Sequence, residues 1–246
     1  MSEAVLRELK DGLLSLTINR GDKLNALNYD VFKGLSDGVD FALANTDKVG
    51  CVLLRGAGRS FCAGNDLSDL GGVFEGGDGS RFRSVTVERI SRLPMPVIAA
   101  VQGHCLTGGL ELALAADIII AAENARFGDT HGKWDLVPVW GLSQRLPRRV
   151  GRAKALEMSF SARFVNGREA ERIGLANFCV ADGEMDAAVE SFVKDVLANS
   201  WRSSRAIKKL IDDTDGMTLE AGLAHEIHRS EGRGPETADR LARMRK

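Results

Sequence analysis

The chain has 246 residues, 44% of them hydrophobic, so it can bury a substantial core as one large domain or as a domain with an appendage. Its formal net charge of −1 does not favour nucleic acid or an anionic membrane as a partner, and points to small molecules or copies of the same chain. The N-terminus lacks the pattern of a signal peptide, and no apolar run approaches the ~20 residues that span a bilayer. We therefore expect a cytoplasmic protein without a membrane segment.

The cysteines are scattered along the chain without C-x-x-C spacing; they are Cys51, Cys62, Cys105 and Cys179. This arrangement suits reduced, mostly buried thiols better than a disulfide framework or a zinc site. We expect no metal.

Short apolar runs alternate with segments of helical periodicity, which is typical of an α/β protein. The runs rich in β-branched residues predict strands at 13–20, 49–54, 96–101 and 117–122. Asn28 is suited to cap a helix whose predicted apolar face consists of Val31, Phe32, Leu35, Val39, Ala42 and Leu43.

Two further segments lack strand character. Residues 71–80 are rich in glycine and polar side chains, which predicts a mobile loop. From Glu184 onward only amphipathic helical segments remain. That change in composition predicts a helical C-terminal appendage.

The segment HCLTGGLELALAADIIIA, residues 104–121, contains one carboxylate, Glu111, in an otherwise apolar helical stretch. Thr107 or Gly108 could cap this helix, and Glu111 would then complement the helix dipole. Alternatively, the surrounding apolar residues bury the carboxylate and raise its pKa, a condition suited to acid–base chemistry. The adjacent glycines would let a ligand oxygen approach exposed backbone N–H groups at the helix start.

A second glycine-containing stretch, RGAGRSFCAGNDL, covers residues 55–67 and follows a predicted strand. It lacks the third glycine of a dinucleotide-binding fingerprint. Either it is a tight connection between a strand and a helix, or the loop around Gly64 and Asn65 offers backbone N–H groups to a ligand oxygen.

Together these stretches resemble the crotonase superfamily, which includes enoyl-CoA hydratases and isomerases. The resemblance spans nearly the whole chain and rests on five motifs in the family's order: KLNAL (23–27), GAGRSFCAGNDL (56–67), PVIAAVQGHCLTGGLELALAADIIIAAENARFG (96–128), GLSQRLPRRVGRAKALEM (141–158) and REAERIGLANFCV (168–180). It implies an α/β spiral of repeated ββα units over residues 1–183, carrying an acyl-CoA site. Residues 184–246 would form a helical region that assembles homotrimers or dimers of trimers. No cofactor is implied, because coenzyme A is part of the substrate.

The resemblance also implies roles for individual residues. The backbone N–H groups of Asn65 and Gly108 match the oxyanion hole that holds the thioester carbonyl oxygen, and Glu111 matches the first catalytic glutamate of the hydratases. The residues matching the substrate and coenzyme A path are Ala26, Leu27, Ala63, Asn65, Asp66, Leu67, Ser68 and Gly108.

The chain departs from the family at one position, because the hydratases' second catalytic glutamate falls on His131. Either His131 exchanges the α proton, or it only lines a loop whose chemistry has been lost. Trp134 and Trp140 flank this loop and are expected to shape the acyl pocket, or to be core aromatics.

The leading hypothesis is a hydratase-type lyase in which Glu111 activates water and His131 exchanges the α proton. The enzymatic alternatives use Glu111 alone, in a double-bond isomerase or a thioester hydrolase. A non-catalytic protein that binds acyl-CoA or RNA is also possible, the RNA version through the basic run Arg145, Arg148, Arg149, Arg152 and Lys154. The charge balance and the lack of interleaved aromatic residues favour a solvated face for this run, or one that meets coenzyme A phosphates.

Overall fold

The computed structural model describes residues 3–69 and 78–244. Its strands are β1 (Val5–Lys10), β2 (Leu13–Ile18), β3 (Cys51–Gly56), β4 (Val97–Val101), β5 (His104–Leu106), β6 (Ile118–Ala122), β7 (Arg126–Gly128), β8 (Val165–Asn166) and β9 (Phe178–Val180). Its helices are α1 (Tyr29–Ala44), α2 (Asp78–Ser91), α3 (Gly108–Ala113), α4 (Leu142–Val150), α5 (Arg152–Ser161), α6 (Gly167–Arg172), α7 (Met185–Ala198), α8 (Trp201–Thr214), α9 (Leu219–Arg229) and α10 (Thr237–Met244).

The strands form two sheets. The larger has the order β1-β2-β3-β4-β6-β9, in which β1 is antiparallel to β2 and the other neighbours are parallel. The smaller has the order β5-β7-β8. The chain passes from β4 in the large sheet to β5 in the small sheet, through α3, and then repeats this path with β6 and β7. This is the α/β spiral of ββα units that the sequence predicts.

The central strands of the large sheet, β3, β4 and β6, are buried on both faces, as parallel strands usually are. Alternate residues of β3 point to opposite sides, so Val52 and Leu54 join the main core while Cys51 and Leu53 join a second cluster. The second cluster is completed by Met185, Val189 and Val193 of α7. Helix α7 therefore shares a core with the sheet. The predicted division of the chain between residues 183 and 184 stays a prediction.

The four predicted strands are confirmed as β2, β3, β4 and β6, each with ends shifted by one or two residues. The predicted cap of α1 is also confirmed, because the Asn28 side chain accepts a hydrogen bond from the Val31 amide at 3.1 Å. Leu43 was wrongly assigned to the buried face. It lies in the last turn of α1, at the margin of the buried arc, and is 45% exposed.

The prediction of a loop over residues 71–80 is wrong for residues 78–80, because these residues form the start of α2. Val87 and Ile90 anchor this helix in the core, which its polar, glycine-rich start does not reveal. Residues 71–77 lie outside the described residues. No helix in the described ranges has the length and apolar character needed to cross a membrane.

The C-terminal helices after α7 have little core of their own. Neither α8 nor α9 contains a buried residue. Large apolar side chains on these helices are mostly exposed to solvent; they are Ile207, Ile211, Leu219, Leu223 and Ile227. This surface distinguishes the helical region from the sheet core.

Candidate active site

Two backbone segments that are far apart in sequence run side by side at the site. Cys62 and Cys105 form a parallel bridge, in which the Leu106 amide donates to the Cys62 carbonyl at 3.1 Å. Asn65 and Gly108 each lie three residues after a bridged cysteine, so both follow the bridge in the same direction. Asn65 and Gly108 are therefore brought to the same cavity, which both residues line.

The amides of Asn65 and Gly108 are free to bind a ligand. The Leu27 amide donates to the Gly64 carbonyl and the Asp66 amide donates to the Leu27 carbonyl, so the intervening N–H of Asn65 points away from Leu27. Gly108 is the first residue of α3, where an amide has no acceptor within the helix. Among the described residues neither amide has a protein acceptor. The predicted pair of donors is thus available.

Close packing explains the adjacent glycines. A β-carbon on Gly108 would lie 2.3 Å from Cζ3 of Trp140, and one on Gly109 would lie 2.4 Å from the carbonyl oxygen of Cys62. Gly64 has a φ of +109°, and a β-carbon there would lie 2.6 Å from the Thr107 hydroxyl. Glycine at these positions lets the two segments approach each other and leaves the Gly108 amide accessible.

The helix start is not capped by a side chain, contrary to one of the interpretations above. Thr107 occupies the N-cap position but makes no side-chain capping hydrogen bond, and its φ of +47° lies in the left-handed region. Such a sparsely populated backbone conformation costs about 1–3 kcal/mol for a residue with a β-carbon. The Glu111 side chain does not serve this helix end either, because it binds main-chain groups elsewhere.

Glu111 is 1% exposed and is held by two backbone donors. Its Oε1 accepts hydrogen bonds from the amides of Trp140 at 2.8 Å and Leu142 at 3.2 Å. Burial raises the pKa of Glu111 above its ordinary value of 4.5, and His131 and the two amides offset only part of this effect. The carboxylate is therefore fixed in position and suited to accept a proton.

His131 lies opposite Glu111. It begins the short 3-10 helix His131–Trp134 after β7 and is 8% exposed. Its Nε2 is 3.8 Å from Oε2 of Glu111, and its Nδ1 is 2.7 Å from Oδ1 of Asp129. The imidazole thus stands between two carboxylates and faces the same cavity as Glu111.

Asp129 is a residue of this network that sequence reasoning missed. It is 3% exposed, and it lies two residues before His131. Burial acts to raise the pKa of Asp129, but hydrogen bonds from His131 and Ser159 outweigh it and hold the pKa below its ordinary value of 3.8. The spacing Asp-x-His is the sequence pattern that could have indicated a carboxylate beside the histidine.

The cavity has a volume of about 310 Å³ and a mainly apolar wall. Besides Asn65, Gly108, Glu111 and His131, its lining includes Ala63, Leu67, Leu106, Leu136, Val137, Val139, Trp134, Trp140 and Phe164. Trp140 is buried and packs edge-on against Phe32, whereas Trp134 is 58% exposed at the mouth. An apolar organic group near the reacting atoms suits this wall.

The remaining residues of the expected coenzyme A path lie beside the cavity. Arg20, also missed from sequence, binds both the Ala26 carbonyl and the Asp66 carboxylate, the latter at 2.8 Å. Hydrogen bonds from Ser68 and Arg20 lower the pKa of Asp66 to about 2. Arg20 therefore ties together the two backbone segments that contain Ala26, Leu27, Asp66 and Ser68.

Three of the five residues in the basic run that could have served RNA are paired with carboxylates of the same chain. Arg145 pairs with Glu88 at 2.6 Å, Arg148 with Asp215 at 3.4 Å and Lys154 with Glu157 at 2.5 Å. Arg149 donates to the carbonyls of Ala116 and Asp117 beyond the end of α3. Arg145, Arg148 and Arg149 line part of a cleft of about 1340 Å³ that is larger than the Glu111 cavity. We assign the chemistry to the smaller cavity, because it alone contains Glu111 and His131.

Comparison with known proteins agrees with this geometry. The sequence profile of the enoyl-CoA hydratase/isomerase family matches residues 8–233. The chain is 34% identical to "Probable enoyl-CoA hydratase 1, peroxisomal" of Arabidopsis thaliana, over 91% of this chain and 84% of the relative. It is 38% identical to the mitochondrial methylglutaconyl-CoA hydratase of Mus musculus, over 90% of this chain and 72% of the relative. It is 32% identical to the 1,2-epoxyphenylacetyl-CoA isomerase of Escherichia coli, over 91% and 87%.

A solved structure extends the similarity to the whole fold. The crystal structure of the enoyl-CoA hydratase from Bacillus anthracis superposes with a TM-score of 0.89 at 30% identity, covering 98% of this chain and 95% of that chain. With the family profile and the relatives, this similarity leads to one conclusion: the chain belongs to the enoyl-CoA hydratase/isomerase family of the crotonase superfamily.

Proposed function

We propose that the chain is a hydratase that adds water to an α,β-unsaturated acyl-CoA thioester, or removes it in the reverse direction. The observation that carries this proposal is the position of Glu111. Its buried carboxylate stands one helical turn beyond the Gly108 amide and faces the His131 imidazole across 3.8 Å. Two proton-exchanging groups beside an oxyanion hole are what the addition of water to an enoyl thioester requires.

The reaction proceeds through an enolate. The amides of Asn65 and Gly108 bind the thioester oxygen, and each such donor typically contributes about 3 kcal/mol of transition-state stabilisation. Glu111 takes a proton from water while the water oxygen bonds to the β carbon, and the displaced electron pair moves to the thioester oxygen. His131 enters this step protonated on both ring nitrogens, and the enolate takes a proton at the α carbon from its Nε2–H, which leaves a neutral ring with hydrogen on Nδ1. Transfer of the proton from Glu111 to His131 restores both groups.

The relatives support hydration and leave isomerisation as a second candidate. The plant and mouse relatives are hydratases by name, whereas the Escherichia coli relative is an isomerase. Isomerisation needs a single group that moves a proton between the α and γ carbons, and Glu111 can do this alone. The resemblance implies a second catalytic glutamate at position 131, where this chain has histidine. The isomerase does not need that second group, so the two activities have to be compared directly.

Product analysis of the purified protein separates these activities. We expect crotonyl-CoA to gain one water, as detected by mass spectrometry and by loss of enoyl absorbance. Conversion of a 3-enoyl-CoA to a 2-enoyl-CoA without a change in mass would instead identify an isomerase, and release of the free thiol a hydrolase. Binding of acyl-CoA without turnover of any of these substrates would contradict an enzymatic role.

We further propose that the chain assembles as a homotrimer or a dimer of trimers through its C-terminal helices. The support is the apolar surface of α8 and α9, where Ile211 is 65% exposed and Ile227 is 77% exposed. Light scattering is expected to show a trimer or hexamer. The double variant Ile211→Lys, Ile227→Lys should weaken this assembly. Val85→Lys on α2 is the matched control, because Val85 is also exposed but lies outside this surface. A stable monomer of the unmodified chain at micromolar concentration would contradict the proposal.

A further inference from the structure

The side chain of Asp129 contacts His131 in two ways. Its Oδ1 accepts a hydrogen bond from the backbone amide of His131 at 3.2 Å and lies 2.7 Å from Nδ1 of the same residue. Both residues are buried, so water does not compete strongly for these contacts. The first contact fixes the backbone turn and the second fixes the orientation of the ring.

The chemistry of the acceptor decides which ring nitrogen carries hydrogen. An ionised carboxylate only accepts hydrogen bonds, so an Nδ1 that lies 2.7 Å from it must be protonated. The lowered pKa of Asp129 keeps this carboxylate ionised. In the neutral imidazole the lone pair then belongs to Nε2, the nitrogen that faces Glu111.

We propose that Asp129 is a positioning residue that fixes His131 in the tautomer with hydrogen on Nδ1, so that Nε2 alone exchanges protons in the cavity. This inference rests on the proposed function for its catalytic consequence. Without Asp129, the neutral ring could carry its hydrogen on Nε2 and bond to Glu111 through it. Its lone pair would then point away from the cavity, and His131 could not recover the proton that Glu111 takes from water.

The groups that face His131 come from several elements. Asp129 precedes it after β7, Glu111 approaches from α3, and the Ser159 hydroxyl of α5 holds Asp129. Lys133 lies in the same short turn, and its ammonium group is directed to the Phe164 ring, 5.5 Å from the centroid. Among the described residues, the two carboxylates are therefore the charged partners of the imidazole, and only Asp129 contacts Nδ1.

The tautomer can be observed directly by NMR. The full chain is labelled with ¹⁵N at histidine, and long-range ¹H–¹⁵N correlations are recorded at increasing pH until the imidazole signals no longer change. His131→Ala assigns the signals among His104, His131, His225 and His228. We expect His131 to carry hydrogen on Nδ1, and Asp129→Ala to shift it toward hydrogen on Nε2. A wild-type ring with hydrogen on Nε2, or a tautomer that does not respond to Asp129→Ala, would overturn the proposal.

Kinetics in two backgrounds test whether Asp129 acts through His131. In the wild-type background we expect Asp129→Ala to lower kcat by about 10–100-fold while KM changes by less than about threefold, as for other partners that orient a functional histidine. In the His131→Ala background the same change should cost almost nothing further. An equal loss in both backgrounds would show that Asp129 supports only the fold, and would overturn the proposal.

Matched variants keep the test interpretable. Asp129→Asn retains an acceptor for the backbone amide but removes the charge, and it replaces Asp129→Ala if that variant does not fold. Asp135→Asn changes an exposed aspartate on the same loop and should leave kcat within about twofold. If His131→Ala itself retains full turnover, the acid role in the proposed function fails, while the NMR tautomer still decides the positioning role independently.

Discussion

On one side of the cavity, Glu111 stands on α3 and is held by the backbone amides of Trp140 and Leu142. On the other side, His131 stands in a short turn and is held by the side chain of Asp129. The first arrangement depends on main-chain geometry, which the glycines at the helix start permit. The second depends on a pair of side chains, so a different residue pair could occupy it without changing the fold. On the His131 side, where the resemblance implies a glutamate, a change of residue type therefore need not alter the fold.

The largest expected effect is on the Glu111 side. Glu111→Gln keeps the volume and the acceptor oxygen but removes the group that takes a proton from water, so we expect turnover to fall by about 10³-fold. Circular dichroism and thermal unfolding should show an intact fold. Glu190→Gln, on an exposed position of α7, is the control and should retain full activity. Wild-type turnover by Glu111→Gln on the best substrate would remove Glu111 from the mechanism.

A glycine on each side of the cavity gives a direct comparison. Gly108→Ala would place a β-carbon 2.3 Å from Trp140 and displace the amide that binds the thioester oxygen. We expect kcat to fall by about 10²–10³-fold, the usual cost of losing one oxyanion donor. Gly132→Ala, next to His131, meets its nearest atom only at 4.0 Å and should change kcat by less than about twofold. Equal effects of the two substitutions would contradict the assignment of the Gly108 amide.

Replacement of His131 is expected to have a smaller effect, because other donors can partly supply the α proton. We expect His131→Ala to lower kcat by about 10²-fold at neutral pH. His131→Glu, which restores the residue type of the hydratases, should recover part of the activity. Full turnover by His131→Ala would favour the isomerase or hydrolase alternatives, in which Glu111 acts alone.

Local sequence patterns predicted much of the fold. The apolar runs located four strands of the large sheet, and the Asn28 cap located the start of α1. Leu43 was misassigned because helical periodicity does not reveal where the core ends. The short strands of the small sheet were missed, since two or three residues carry too little periodicity.

The site was predictable where it depends on backbone motifs and less so where it depends on long-range packing. The resemblance placed Asn65, Gly108, Glu111 and His131 in one site, and the structure brings all four to one cavity. The amides that hold Glu111 lie 29 and 31 residues away in sequence, so a local sequence pattern cannot predict these contacts. Arg20 lies 46 residues from Asp66 and was missed for the same reason.

The smallest expected effect is on stability and again concerns the burial of Glu111. Burial raises the pKa of this carboxyl above its ordinary value of 4.5, so the folded chain keeps the proton at a pH where the unfolded chain has lost it. The contribution of Glu111 to folding stability is therefore most favourable below the ordinary pKa and declines as the pH rises through the window between the ordinary and the raised value.

Glutamine does not titrate, so Glu111→Gln escapes this decline, and we expect it to unfold at a higher temperature than the wild type. The difference in Tm should widen as the pH rises from below the ordinary value of 4.5 and level off above the raised pKa. Thermal unfolding across this pH range measures it, with Glu190→Gln as the control that should show no difference. A difference that stays constant or shrinks with rising pH would mean that the Trp140 and Leu142 amides and His131 fully compensate the buried charge. Glu111 would then carry no stability cost, and the contrast between the two sides of the cavity would be one of geometry alone.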